Sequence, residues 1–237
     1  MLDVHPPEHA AHTWRDFFIH IATICVGLLI AIGLEQSVEA VHRRHERSEL
    51  REALNAETLQ ILNDTERVEA GETVELQWLQ QLESQVSSAA RDHHPLTSLA
   101  PHPKISWDIP DDPVYAAAKA SSKLSLLSDQ EIAAFGEMDG LLAKFDLRYN
   151  HMDDTAQTLA AFLHDLNFAQ PPNTSGLYSA SPADLKQLYT DIVAMQIAAR
   201  DLRYWGRQAR GAATAMSQGE RNLRNIETAE RQFDKLP

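Results

Sequence analysis

Imidazole titrates near neutrality and is the commonest metal ligand, so the eleven histidines of this chain come first. His5, His9 and His12 stand at i, i+4 and i+7, a spacing that one helix face could offer a metal, but Pro6 and Pro7 interrupt it. His42 and His45 flank Arg43 and Arg44, which reads as a cationic interfacial helix. His93, His94 and His102 fall in a proline-rich stretch. His151 with Asp153 and Asp154 (HMDD) offers ligand types, yet the inward Glu-x-x-His pair of a di-iron bundle is missing, and the motif reads as exposed helix surface. Tyr115, Ser121, Ser122, Tyr149 and Trp205 could line a pocket between helices, although ordinary bundle core is much the stronger explanation. There is no G-x-S-x-G, phosphate loop, H-E-x-x-H or Gly-rich nucleotide fingerprint. We therefore assign no catalytic residue, no metal ligand and no cofactor.

The elements that carry these residues are organised around Phe17 to Leu34, FFIHIATICVGLLIAIGL. At about 1.5 Å rise per residue this run reaches about 27 Å, close to the ~30 Å hydrocarbon core of a bilayer. The expected span contains Phe17, Phe18, His20, Gly27, Ala31 and Leu34. Trp14 anchors one interface, and Arg43, Arg44 and Arg47 anchor the other. A signal peptide would need a positive n-region, and Arg15 stands against Asp3, Glu8 and Asp16. Lys and Arg concentrate after the span, which by the positive-inside rule puts the C-terminal domain in the cytoplasm. His20 lies one turn inside, where a neutral imidazole can snorkel to the interface. Gly27-x-x-x-Ala31 is a small-xxx-small pair that lets two helices approach.

No Gly or Pro interrupts Leu34 to Gly71, so the anchor is expected to continue as one long helix with an apolar stripe at Leu50, Leu54, Ile61, Val68, Leu79, Leu82 and Val86. Glu72 and Glu75 fall near that stripe, which favours packing onto the chain's own later helices over a two-stranded coiled coil. Five prolines between 95 and 113 predict a crossover, with Ile105, Trp107 and Ile109 alternating in an extended piece that buries Trp107. Asp112-Pro113 opens a helix expected to end near Leu127. Ser128 to Glu131 forms a capping box for a helix running to about Phe168, and Ser181 to Asp184 opens the last long helix. From Gly219 onward fraying is expected.

The expected domains are a polar tail (1–13), a transmembrane helix (14–35), a long juxtamembrane helix (36–90), a Pro-rich crossover loop (91–112) and the remaining helices (113–237). The fold class is all-α: a transmembrane helix continuing into a long helix, packed in an antiparallel bundle of about four helices. A net charge of −13 argues against nucleic acid. The single cysteine, Cys25, excludes an intrachain disulfide and cysteine-rich zinc sites.

ATICVGLLIAIGLEQ followed by HRRHERSELREALNAETLQILND, and later WDIPDDPVYAAAKASSKLSLLSDQEIAAF, resemble a broad group of bacterial single-pass membrane proteins of uncharacterised activity. These share a G-[LI]-L-I-A anchor, a charged helix and a helical domain. The matching middle residues here are Trp107, Tyr115, Ser121, Ser122, Leu124, Leu126 and Ser128. The resemblance implies a bacterial source and a domain anchored in the inner (cytoplasmic) membrane, and it brings no catalytic residues. In this chain the arginines follow the anchor instead of preceding it. The expected function is a non-enzymatic, membrane-anchored interaction or scaffold module. Its partners would be the lipid bilayer, an unknown protein, and a second copy through the anchor or juxtamembrane helix. The alternative is a sensor-type ligand-binding bundle on the envelope side.

Overall fold

A computed structural model of the chain describes residues 14–93, 96, 98–166 and 180–233. Among them every regular element is helical: α1 (Trp14–Asp92), α2 (Pro113–Ala120), a 3₁₀ turn (Lys123–Leu126), α3 (Asp129–Asp165), α4 (Pro182–Ser217) and α5 (Leu223–Phe233). The chain divides into two compact units, residues 1–50 and 51–237.

In the first unit α1 carries the apolar run, and its large side chains are exposed from Trp14 to Val41. Its polar groups bond back to the helix's own carbonyls. Thr23 Oγ1 donates to Ile19 O at 2.8 Å, Ser37 Oγ donates to Gly33 O at 2.7 Å, and His20 Nδ1 lies 3.0 Å from Asp16 O. Such back-bonding leaves these side chains compatible with an environment that offers no water partners.

In the second unit, three long helices bury residues at alternating steps of three and four, the spacing of a heptad seam. On α1 the seam runs Leu54, Thr58, Ile61, Thr65, Val68, Glu72, Leu79, Leu82 and Val86. Thr58 and Thr65 fit there because their hydroxyls donate to Leu54 O and Ile61 O. On α4 the same steps bury Leu188, Ile192, Met195, Ala199 and Leu202, and on α3 they bury Phe135, Met138, Leu142 and Phe145. The contacts Glu83–Gln196, Glu72–Arg203 and Glu66–Arg210 fall in number on α1 as they rise on α4, so these helices are antiparallel. Arg51 pairs with Glu131 at 2.6 Å, and the Ser128 capping box starts α3 beside that pair. Ser181 and Asp184 form the same reciprocal cap on α4, with Pro182 in its first turn.

The prolines give an extended strap that returns along α1. Ala100 meets Trp78 and Gln85, His102 meets Glu75, Ile105 meets Gly71, Asp108 meets Arg67, and Val114 meets Glu57. Extended chain rises about 3.3 Å per residue and helix about 1.5 Å, so the 12 steps from His102 to Val114 pass over the 18 steps of α1 from Glu75 to Glu57. Trp107 is half-buried, with its ring 6.2 Å from Tyr149. Ile109, expected to share that inward face, is exposed, and Pro110 is buried in its place.

Three expectations about helix ends need correction. The helix opened at Pro113 stops at Ala120, because Ser122 adopts a left-handed conformation (φ 58°) before the 3₁₀ turn. The helix after Ser128 ends at Asp165. The segment after Gly219 forms α5 and docks by burying Ile226 and Glu230. Gly211 admits it: a Cβ there would lie 2.8 Å from Glu230 Cα.

Candidate functional site

In the anchor region Phe17, Phe18, His20, Gly27, Ala31 and Leu34 lie on one helix with no burial in the apolar window. Trp14 stacks on Phe18 and meets Phe17 edge-on, each with ring centroids 5.6 Å away, as an interfacial aromatic cluster does. Arg43, Arg44 and Arg47 are exposed, and Arg43 pairs with Glu39 at 3.0 Å.

The histidines do not converge. His5, His9, His12 and His94 lie outside the described residues. His42 and His45 face Glu46 and Glu49 one turn on. His151, Asp153 and Asp154 are exposed on α3, and Asp153 accepts a bond from Gln157. Among the described residues no three His, Cys, Asp or Glu side chains are arranged to hold a metal. The aromatic and serine group also disperses. Tyr115 is buried against Phe135, Tyr149 meets Trp107, Trp205 lies under Lys144, and Ser121 and Ser122 face solvent.

Polar groups concentrate where α1 meets α4. Glu69 accepts from Arg207 Nε at 3.0 Å and from Arg210 Nη1 at 2.6 Å, and Arg210 Nη2 donates to Glu66 at 2.8 Å. Burial raises the Glu69 pKa, but the bonds from Arg210 and Arg207 outweigh it and hold the carboxyl below its ordinary value. One turn on, Glu72 is 1% exposed, with Oε2 3.7 Å from Arg203 Nε and Oε1 without a hydrogen-bond partner. Burial pushes its pKa up to about 8, against the opposing pull of Arg203. Arg203 instead donates to Thr73 Oγ1 at 2.9 Å.

A second buried carboxyl clasps the strap. Glu75 Oε2 lies 2.9 Å from His102 Nε2, whose ring meets the edge of Trp78 at 4.5 Å. Burial raises the Glu75 pKa and His102 partly opposes it. A third, Glu57, accepts from the backbone N–H groups of Val114 and Tyr115 and so caps α2. Asp112, at the N-cap position, makes no side-chain capping bond. Of these acids Glu57, Glu69 and Glu75 hold elements together. Sequence reasoning placed Glu72 and Glu75 near the seam but missed their partners, because Arg203 and His102 sit on remote segments.

A cavity of about 980 Å³ lies between the end of α1 and the start of α4. Val86, Ala89 and Leu185 line its floor, with Arg91, Lys186 and Tyr189 also on the wall. No spacing within either segment signals it, since neither helix alone encloses it. Comparison of the chain with family models, curated proteins and solved structures finds no match.

Proposed function

We propose that this chain is a non-enzymatic, single-pass, membrane-anchored helical module whose acidic bundle serves as an interaction or scaffold surface. The observation that carries the reading is α1 itself, which holds both an apolar, wholly unburied 18-residue window and a buried seam of the bundle. Burial of bare hydrocarbon side chains in lipid is favourable by about 25 cal/mol per Å². The non-enzymatic part is supported by the engagement of three acids of the bundle: Glu57 caps a helix, Glu69 clamps two arginines and Glu75 holds the strap. Arg43, Arg44, Arg47 and Arg51 follow the window and Arg15 alone precedes it closely, which by the positive-inside rule supports a bundle on the cytoplasmic side.

Alkaline carbonate extraction of membranes, combined with C-terminal fusions to an export-dependent enzyme and to a cytosol-dependent fluorescent protein, tests this. The chain should stay in the membrane pellet with only the fluorescent fusion active. Release by carbonate overturns anchoring, and activity of the exported enzyme overturns the orientation.

The cavity favours a second reading, a ligand-binding bundle on the envelope side. Its apolar floor and cationic wall suit an anionic amphiphile. Addition of a medium-chain fatty acid should then raise the unfolding temperature, and no shift at saturating concentration removes this reading.

A further inference from the structure

Several glycines of the bundle have packed neighbours. A Cβ on Gly71 would meet Ile105, one on Gly206 would meet Phe145, and one on Gly211 would meet the backbone of Glu230. Gly27 has no such neighbour, and neither do Gly33 on another face of the anchor and Gly140 on α3. Gly27 is distinguished by what shares its stripe. Alternating steps of four and three carry it through Ile24, Gly27, Ala31, Leu34, Val38, Val41 and His45, an uninterrupted heptad seam. The buried seam of the second unit begins at Leu54, which is not a position of this repeat.

Val38 and Val41 are the telling positions. They lie beyond the apolar run, among Glu35, Glu39 and His42, yet they are 70% and 66% exposed. No described residue of the chain covers them. We infer that two copies of this chain pair in parallel along this seam, with Gly27 and Ala31 allowing close contact in the bilayer and Val38 and Val41 closing the contact outside it. The inference rests on the anchored reading, because a shared bilayer makes the two helices parallel. Charge fits the same register. With Val38 and His45 at a and Val41 at d, Arg44 falls at g and Glu49 at e, the two positions that meet between parallel helices one heptad apart. The seam from Ile24 to His45 spans about 32 Å, six helical turns.

Single cysteines in the full chain, in native membranes, test the pairing. In a Cys25→Ser background, Val38→Cys and Val41→Cys are compared with Glu39→Cys and Ala40→Cys under mild oxidation. All four sites are exposed and lie outside the bundle's buried seam. Parallel pairing gives a disulfide-linked band at twice the chain mass for Val38→Cys and Val41→Cys, several-fold stronger than for the other two. Adding Gly27→Leu to Val38→Cys reduces that band several-fold. Equal bands at all four sites, no band, or a band at the mass of a different protein overturns it. Carbonate extraction of the same membranes separates the two claims: protein in the pellet without seam crosslinks sinks only the pairing, and protein in the supernatant sinks the anchor.

Discussion

Gly71 and Ile105 meet so closely that a Cβ on Gly71 would lie 2.8 Å from Ile105 Cγ2. The glycine therefore sits mid-helix for the strap's sake. Its helix-propensity cost of about 1 kcal/mol relative to alanine is offset by letting Ile105 and Trp107 lie against α1. Gly71→Ala should destabilise the bundle by about 1–3 kcal/mol, the usual range for overpacking. Gly140→Ala meets open space and should stabilise by about 0.5–1 kcal/mol. Urea unfolding followed by tryptophan fluorescence measures both. Equal effects of the two substitutions would remove the close approach as the reason for Gly71.

Glu57 replaces Asp112 as the group that caps α2, which reverses the effects that local sequence suggests. Glu57→Ala should cost about 1–2 kcal/mol, the range for a lost N-cap. Asp112 Oδ2 is buried without a partner, and burial, with Asp139 next, pushes its pKa up to about 6. An acid whose pKa rises on folding costs stability as pH climbs past its unfolded value. Asp112→Ala should therefore be neutral or stabilising at pH 7. A larger loss from Asp112→Ala than from Glu57→Ala would restore Asp112 as the cap.

The long helices were legible because periodicity and capping are local: the seam residues of α3 and α4 and both capping boxes stand in the sequence at their structural spacing. The apolar run of the anchor was legible for the same reason. The strap's direction, the docking of α5 and the roles of Glu57, Glu69 and Glu75 were not. Each depends on a partner far along the chain, such as Val114 for Glu57 or Arg210 for Glu69. The end of α2 was missed because Ser121-Ser122 carries no Gly or Pro to announce the left-handed Ser122. The tail histidines His5, His9 and His12 lie outside the described residues.

Glu72 sets the direction of the pH response. Its folded pKa of about 8 lies above the unfolded value of about 4.3. Between these values the folded chain holds a proton that the unfolded chain has released, so stability falls as pH rises from about 4.3 to about 8. Glu72→Gln keeps the shape and removes the titration. Its stability relative to wild type should grow across that window by on the order of 3–5 kcal/mol. Glu131 acts oppositely. Burial raises its pKa, but bonds from Arg51 and Ser128 carry it down to about 2. Its contribution is present above about 4.3 and is lost as pH falls toward 2. Parallel pH profiles for wild type and Glu72→Gln would remove Glu72 from this account.

Gly211 should control α5 alone. Its would-be Cβ lies 2.8 Å from Glu230 Cα and 2.9 Å from Ala229 O, and backbone cannot step aside as a side-chain tip can. Gly211→Ala should therefore release Ile226 from its fully buried position while α1, α3 and α4 stay packed, since local elements can open below the global unfolding free energy. Amide exchange across 223–233 should quicken by an order of magnitude or more, with 185–202 unchanged. The carboxyl of Glu230 adds a pH dependence. Burial, then Glu137 and Glu227, push its pKa up to about 7, with Lys144 and Arg231 opposing. Docking should loosen as pH rises from about 4.3 toward 7, and Glu230→Gln should abolish that trend. Exchange that rises equally in α4 would mean that α5 is part of the bundle's cooperative core, and the reading of Gly211 as a local hinge of docking would fall.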